Sequence, residues 1–249
     1  MEYYDDDVDF KCRIRLFKQT VMDLLHIIGP EIEMQTRRSM AVSTTNWLLI
    51  TRRYYAMGAF QRTVGDHIHV NKSTVCRIIK RVTTRICRLR REVVTMPEGQ
   101  FLLTVKREFY LIRNFPNVIG ALDCSHMRIQ NTGGNGERFR NRKGFFSVNV
   151  QAVCTTKFKL IDVVTRWPGL VHDSAIFDAC HLRAKFENNE FPNFYQLGES
   201  GYPCRPYLLT PLQQPSTEAE ASHQQSHIAT RNPVERLFGV WKKRFCLWK

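Results

Sequence analysis

Four carboxylates in the second half of the sequence are candidates for holding divalent metal ions. They are Asp123, Asp173, Glu199 and Glu235. Asp123 and Glu199 each end a short apolar run, which predicts a strand that carries an acidic side chain at its carboxyl end. That edge of a sheet is where α/β proteins place ligand-binding groups, and carboxylate oxygens suit Mg²⁺ or Mn²⁺. A pair of such ions activates water and stabilises the leaving oxygen in phosphodiester cleavage.

Each of these carboxylates, taken singly, is also consistent with a structural role. A lone Asp or Glu more often caps a helix or faces solvent than binds a metal. Asp173, for example, follows Pro168-Gly169 and could simply cap the helix that is predicted to begin there. A metal site therefore requires that the side chains converge in the folded protein.

The elements expected to position the acids are strands and helices in the order β-β-β-α-β-loop-α. The predicted strands are Val118–Asp123, Phe145–Cys154, Phe158–Trp167 and Phe194–Glu199. A helix is predicted over His172–Phe186, and a last one over Asn232–Phe245, with Glu235 in its first half. Residues 212–227 are polar and contain no aromatic side chain, which favours an exposed loop.

The first part of the sequence has a purely helical apolar pattern. Helices are predicted over Phe10–Ile28, which Gly29-Pro30 should end, over Thr45–Met57, and around Val64. From Asn71 to Arg91 there are eight basic residues and no acidic one, with apolar residues at three- and four-residue steps. This pattern predicts an amphipathic helix with a basic outer face.

A short helix, a tight turn and then a longer basic helix are typical of a helix-turn-helix motif. The second helix would enter the major groove of DNA with its early residues closest to the bases. The residues expected to contact DNA are Lys72, Ser73, Thr74, Arg77, Lys80 and Arg81. The alternative is a solvated surface helix in a helical bundle.

The overall charge indicates a polyanionic partner. There are 37 Lys and Arg against 23 Asp and Glu, which gives a net charge of +14. Nucleic acid is the simplest such partner, although an anionic membrane surface or a ribosomal role would also fit this charge. No apolar run approaches the length of a membrane span, and the start of the chain is acidic, which does not fit a signal peptide. The eight cysteines lack metal-binding spacing and are expected to be reduced.

Several longer segments together resemble one known family. They are VIGALDCSH (118–126), NRKG (141–144), NVQAVC (149–154), WPGLVHDS (167–174), LGESGYP (197–203), YLLTP (207–211) and RNPVERLFGVWK (231–242), with RYYAMGAFQ (53–61) and STV (73–75) before them. In this order they resemble the PIF/Harbinger superfamily of DDE transposases and its domesticated relative, the harbinger transposase-derived nuclease. The resemblance covers nearly the whole chain.

The resemblance implies an α/β fold whose catalytic core is RNase H-like, a mixed sheet flanked by helices, after an all-helical domain with a helix-turn-helix. We expect an acidic tail at 1–9, the helical domain at 10–96 and the nuclease domain at 117–249, with the C-terminus truncated relative to the family. Asp123, Glu199 and Glu235 correspond to the catalytic triad, and Asp173 to a further metal ligand. The family also implies Mg²⁺ or Mn²⁺ as cofactor, DNA as substrate, a Myb/SANT-like partner protein, and the nucleus, with the cytoplasm as a second compartment.

Glu199 departs from the family, which usually has Asp at this position. Glutamate is one methylene longer, and a displacement of about 1 Å in an active site can cost on the order of 10²-fold in rate. The sequence therefore leaves open a second function, a domesticated DNA-binding protein that keeps the fold but cleaves poorly.

Five further basic residues and two histidines near the acids have weaker claims to a role. Arg142, Lys143 and Lys242, with Lys243 and Arg244 beside the last, are either contacts to DNA phosphates or ordinary solubilising charges. His126 and His172 are expected to position the acids rather than to bind metal, because histidine suits Zn²⁺ better than Mg²⁺.

Overall fold

The computed structural model describes residues 6–33, 42–131 and 133–246. The described residues form two compact units. One comprises those within Met1–Val93 and Lys242–Lys249, and the other comprises those within Val94–Trp241. We call them the helical unit and the α/β unit. Of the predicted acidic tail, residues 1–5 lie outside the described residues, whereas Asp7 to Asp9 already belong to the first helix.

Within the described residues, the helical unit consists of helices of different lengths, two of which begin with a side-chain cap. They are α1 (Asp7–Ile14), α2 (Lys18–Ile32), α3 (Thr44–Met57), α4 (Gln61–Asp66), α5 (Lys72–Arg88) and α6 (Arg90–Val93). Asp6 caps α1 by accepting the Val8 backbone N–H at 2.9 Å, and Ser43 caps α3 in the same way through Asn46. Gly58 ends α3 in the left-handed conformation that glycine adopts without strain.

Two details of the predicted first helix are wrong. The single helix over Phe10–Ile28 is in fact two, because Arg15 adopts a left-handed conformation (φ 61°) and ends α1. Gly29-Pro30 does not stop α2, which continues to Ile32. Pro30 has no N–H to donate within α2, and the helix ends two residues later at Ile32.

The core of the helical unit is formed by the inward faces of α1, α2, α3, α4 and α5. On α5 the buried residues Val75, Ile78, Ile79 and Val82 fall on one face, and they pack in a cluster with Ile14, Ile28 and Leu48. Burial of this stripe fixes the rotation of α5, so that the basic residues of the helix are directed to solvent.

The α/β unit begins with α7 (Gly99–Arg113) and contains a mixed sheet. Its strands are β1 (Val118–Arg128), β2 (Ser147–Cys154), β3 (Leu160–Pro168), β4 (Tyr195–Leu197) and β5 (Leu208–Leu209). Within the described residues the strand order is β3-β2-β1-β4-β5, with β1, β2 and β3 antiparallel and β4 and β5 parallel to β1. The predicted α/β class is confirmed. The two-residue β5 is too short to show a pattern in sequence and was not predicted.

Helices cover the sheet and complete the core. They are α8 (Asp173–Asp178), α9 (His181–Glu187) and α10 (Glu218–Arg244). The single helix predicted over His172–Phe186 is thus two, because Cys180 begins a new helix by accepting the Arg183 backbone N–H on its Sγ. Phe177, Leu182 and Phe186 on these helices pack with Ile119 and Leu122 of β1 in the core.

The exposed loop predicted over 212–227 is wrong, because α10 begins at Glu218. Thr217 and Glu220 form a capping box: Thr217 Oγ1 accepts the Glu220 N–H at 3.2 Å, and Glu220 accepts the Thr217 N–H at 3.1 Å. Two turns further in, His227 is buried and donates its Nε2–H to the Leu209 carbonyl at 3.0 Å. Burial lowers the pKa of His227, so it stays neutral in this packed position.

None of the helices in the described ranges is long and apolar enough to cross a membrane.

Candidate active site

Asp123 lies on β1, the central strand of the sheet, and is 9% exposed. Its Oδ1 accepts the Cys124 backbone N–H at 2.7 Å. Strand β4 pairs parallel to β1 with Leu197 opposite Ala121. Glu199 follows that pair by two residues, as Asp123 does, so strand register alone carries the two acids to the same end of the sheet.

The negative charges of Glu199 and Asp173 act on the carboxylate of Asp123. Its pKa is raised to about 7, first by burial and then by the negative charge of Glu199, with a smaller contribution from Asp173. The hydrogen bond from Cys124 and the positive charge of Arg231 act in the opposite direction. Asp123 therefore lies in a site with an excess of negative charge.

Asp173 is held at this site by β2. It is the first residue of α8, and its Oδ1 accepts a hydrogen bond from Asn149 Nδ2 at 2.8 Å. The N-cap of α8 is His172, whose Nδ1 accepts the Ser174 backbone N–H at 3.3 Å. The capping role considered for Asp173 is therefore wrong, and its carboxylate remains available. His172 positions the helix that begins with this acid.

The segment that follows Glu199 packs beside Asp173. A Cβ built on Gly201 would lie 3.7 Å from Asp173 Oδ2. Tyr202 is buried and donates its hydroxyl hydrogen to Cys124 Sγ at 3.0 Å. Burial strongly raises the pKa of both Cys124 and Tyr202, so both stay protonated. The neutral Tyr202–Cys124 pair fixes the segment after β4 against β1, next to Asp123.

Glu235 reaches the site from α10, where it is paired with Arg231 one turn earlier. Its side chain is 52% exposed, whereas that of Arg231 is 7% exposed. Arg231 Nη2 donates to Glu235 Oε1, and Arg231 Nη1 lies 3.6 Å from Asp123 Oδ2. The predicted first and third acids are thus joined through a buried arginine.

Two residues at the site were not predicted. Asn149 orients Asp173 and also donates to the Val171 carbonyl at 3.1 Å. The sequence signal was a polar residue within the apolar alternation of β2. Arg231 belongs to the segment RNPVERLFGVWK, but nothing in its spacing shows that it contacts Asp123.

The donor set suits a divalent metal, although the ligands are not arranged as a closed cluster. Among the described residues, no three His, Cys, Asp or Glu side chains lie close enough together to hold a metal ion as they stand. Asp123, with Glu199 and Asp173 near it, nevertheless supplies oxygen donors and a negative field that a hard cation would neutralise. In chemical type, these oxygen donors are the ligands that Mg²⁺ or Mn²⁺ prefers.

In the helical unit, most residues predicted to contact DNA are exposed on α5. Lys72, Ser73, Arg77, Lys80 and Arg81 face solvent, and Thr74 is half-buried. The Arg77 guanidinium donates to the Ser73 carbonyl and to Thr74 Oγ1, both at 3.4 Å. Helix α4, the turn 67–71 and α5 follow one another along the chain.

Arg142 and Lys143 lie on an exposed turn between the 3₁₀ helix Gly134–Phe139 and β2. The buried Asn141 holds this turn, since its Oδ1 accepts the Lys143 N–H at 3.0 Å and the Phe145 N–H at 3.3 Å. Asn141 Nδ2 donates to Ser147 Oγ, which is also 3.1 Å from His126 Nδ1 on β1. His126 thus supports this basic turn. Lys242 lies two turns beyond Glu235 on α10 and groups with the helical unit.

Comparison with known proteins agrees with this arrangement. The family model described as "DDE superfamily endonuclease" matches residues 122–249. The human protein named "Putative nuclease HARBI1" is 31% identical over 232 residues, which is 92% of this chain and 66% of the human protein. The Xenopus laevis protein of the same name is 26% identical over 90% of this chain and 65% of its own length.

A plant relative is more distant. "Protein ALP1-like" of Arabidopsis thaliana is 24% identical over 81% of this chain and 54% of its own length. The chain spans about two thirds of the length of the animal relatives. No solved structure matches it. The family match covers the strand that bears Asp123, the segments that bear Asp173 and Glu199, and the helix that bears Glu235, and so the chain belongs to the DDE superfamily endonucleases, among the Harbinger transposase-derived proteins.

Proposed function

We propose that the chain is a metal-dependent DNA endonuclease that hydrolyses phosphodiester bonds by a two-metal DDE mechanism. The observation that carries this proposal is Asp123, a buried carboxylate on the central strand with Glu199 and Asp173 close enough to raise its pKa. A buried carboxylate beside other negative charges costs folding free energy, and such carboxylates cluster at functional sites.

Asp123, Asp173, Glu199 and Glu235 would hold the metal ions. Bound Mg²⁺ or Mn²⁺ would supply activation of water and stabilisation of the leaving oxygen. Other residues of the chain would position the acids and contact the DNA. Asn149 keeps the Asp173 carboxylate turned to the site, and Tyr202 and Cys124 keep the segment after β4 in place. Asn141 presents Arg142 and Lys143 to solvent, where they would contact DNA phosphates.

The helical unit would bind the DNA through the exposed face of α5. Lys72, Ser73, Thr74 and Arg77 would lie closest to the bases, and Lys80 and Arg81 would contact phosphates. Lys242, on the last turn of α10, would add a further phosphate contact. This assignment is supported by the exposure of the basic residues on a helix whose opposite face is buried.

A nicking assay on supercoiled plasmid with Mg²⁺ or Mn²⁺ tests the enzyme. We expect cleavage by the wild type and none by Asp123→Ala or Glu235→Ala. Arg205→Ala is the matched control, because Arg205 forms its ion pairs with Asp178 and Glu187 and contacts none of the four acids. Cleavage that survives Asp123→Ala would rule out this active site.

A second function, DNA binding without effective cleavage, is favoured by Glu199. Its side chain is exposed and one methylene longer than the aspartate usual in the family. If the wild type never nicks and Glu199→Asp does, the chain is a DNA-binding protein with an impaired site. Binding itself is tested by a salt series, since binding driven by phosphate contacts weakens steeply as salt rises.

We also propose that the protein acts in the nucleus, with the cytoplasm as a second compartment, beside a Myb/SANT-like partner. Both follow from the resemblance to the Harbinger family. Imaging of the tagged chain with and without such a partner tests them. Nuclear signal that is absent in both conditions would contradict the assignment.

A further inference from the structure

Arg231 contacts both the predicted first and third acids. It lies on α10, one turn before Glu235, and is buried with 7% of its side chain exposed. Its guanidinium forms an ion pair with Asp123 through Nη1 and with Glu235 through Nη2. All three residues belong to the α/β unit.

The hydrogen-bonding capacity of this guanidinium is only partly used. The distance of 3.6 Å between Nη1 and Asp123 Oδ2 is longer than a hydrogen bond. Nη1 and Nε are buried and have no hydrogen-bond partner among the residues that the structure describes. Burying a guanidinium with unused donors costs free energy, and the attraction of the acids has to offset that cost.

Arg205, in the same unit, is an arginine that pairs with acids outside the candidate metal site. It donates to Asp178 Oδ1 at 2.7 Å and lies 3.9 Å from Glu187 Oε1, and its side chain is 27% exposed. Those acids are partly exposed and lie away from Asp123. Arg231 differs from Arg205 because its partners are two acids of the candidate metal site.

We propose that Arg231 is an internal counter-cation, which holds Asp123 and Glu235 together in the metal-free protein and competes with the divalent metal for them. This inference rests on the proposed metal site. A metal ion and the guanidinium both neutralise Asp123, so the positive charge of one lowers the affinity for the other. Metal binding would therefore release Asp123 from Arg231, and Arg231 is a positioning residue rather than a ligand.

The test is Mn²⁺ binding followed by calorimetry and by thermal unfolding, at mildly alkaline pH and without DNA. Arg231→Met removes the charge and keeps most of the side-chain volume. We expect the metal-free variant to unfold at a lower temperature, because Asp123 loses its counter-charge. We also expect it to bind Mn²⁺ more tightly, on the order of tenfold, because the competing cation is gone.

Two further substitutions separate charge from packing. Arg231→Gln is neutral and polar and should bind Mn²⁺ more tightly, as Arg231→Met does, so the comparison remains if the methionine variant fails to fold. Arg231→Lys keeps the charge and should bind Mn²⁺ with nearly wild-type affinity. Arg205→Met should lower the unfolding temperature and leave Mn²⁺ affinity unchanged.

The neutral Arg231 variants are expected to have a lower unfolding temperature and a higher Mn²⁺ affinity, and this combination makes the inference testable. A residue with only a structural role would lower the unfolding temperature without increasing metal affinity. Equal or weaker Mn²⁺ binding by both neutral variants, with a wild type that binds Mn²⁺, would overturn the role of Arg231 and leave the metal site standing. If neither the wild type nor any Arg231 variant binds Mn²⁺, both this inference and the proposed metal site fail.

Discussion

The two units of the molecule use charge in opposite ways. The helical unit displays its charge: Arg77, Lys80 and Arg81 are exposed on α5, above a buried apolar stripe. The α/β unit concentrates its charge: Asp123 is buried on the central strand beside Glu199 and Asp173. Exposed charges cost little folding free energy, and each contributes to binding independently of the others. Buried charges of one sign are coupled, cost folding free energy and depend on each neighbour. The difference between the units can be tested by substitution.

The largest effect is expected from removal of the buried charge. Asp123→Asn should lower plasmid nicking by about a thousandfold or more, because the several kcal/mol that a bound metal contributes to the transition state would be lost. The fold should remain, since asparagine has nearly the same shape. Steady-state nicking rates measure the loss, with circular dichroism as the control for folding. A decrease of only a few-fold would mean that Asp123 behaves like an exposed charge.

The second-largest effect on the nicking rate is expected from the length of the Glu199 side chain. Glu199→Asp should raise the nicking rate by up to about 10²-fold, because the shorter side chain restores the carboxylate position usual in the family. Single-turnover cleavage with saturating Mn²⁺ measures the change. Glu187→Asp, a matched substitution at an exposed glutamate of α9, should leave the rate unchanged. A slower Glu199→Asp enzyme would show that the site is adapted to glutamate.

The same buried charge should cost stability in the metal-free protein. The pKa of Asp123 is raised to about 7 in the folded state, above its ordinary value of about 4. Between these values the folded protein binds more protons than the unfolded chain, so the free energy of unfolding should fall as pH rises through this window and stay low above it. Asp123→Asn should remove this slope and gain up to about 4 kcal/mol above pH 7, because each unit of pKa difference is worth about 1.4 kcal/mol.

Denaturant unfolding with a chelator present, at several pH values, measures that gain. Asp178→Asn is the control, because Asp178 is partly exposed and pairs with Arg183 and Arg205 outside the site. An Asp123→Asn variant that is less stable than the wild type at every pH would show that the pairing with Arg231 outweighs the cost of burial.

The smallest effects are expected on α5. Lys80→Gln and Arg81→Gln should each weaken DNA binding by only a few-fold and reduce the slope of log affinity against log salt by about 0.9, because each removes one phosphate contact. Together the two effects should add, because exposed charges act separately. Fluorescence anisotropy over a salt series measures both quantities. An unchanged salt slope would exclude this face of α5 from the DNA interface.

The sequence was most informative where local pattern and structure coincide. The apolar runs that end at Asp123 and Glu199 predicted two strands of the sheet, although β1 continues to Arg128 because it pairs with β2 from Ala121 to Arg128. The start of α10 was missed, although Thr217 and Glu220 have the spacing of a capping box and could have revealed it. The left-handed Arg15 that divides the first helix has no such signal.

The site itself could be predicted only as a set of acids. Their identity follows from the segments around Asp123, Asp173, Glu199 and Glu235. The contacts that orient them, from Asn149 to Asp173 and from Arg231 to Asp123, join residues far apart in the chain and depend on how strands and helices pack. Sequence spacing carries no information about such contacts, so the counter-charge at the site became visible only in the folded structure.

The exposure of Glu199 has a consequence for how this chain changes over generations. Glutamate and aspartate carry the same charge, so exchanging one for the other at this exposed position after a three-residue strand should change the amount of folded protein in the cell little. Aspartate and glutamate codons differ only in the third base, so a single nucleotide substitution exchanges them. Selection would act on this position through cleavage alone, and the residue found there in close relatives would record whether cleavage is still being selected.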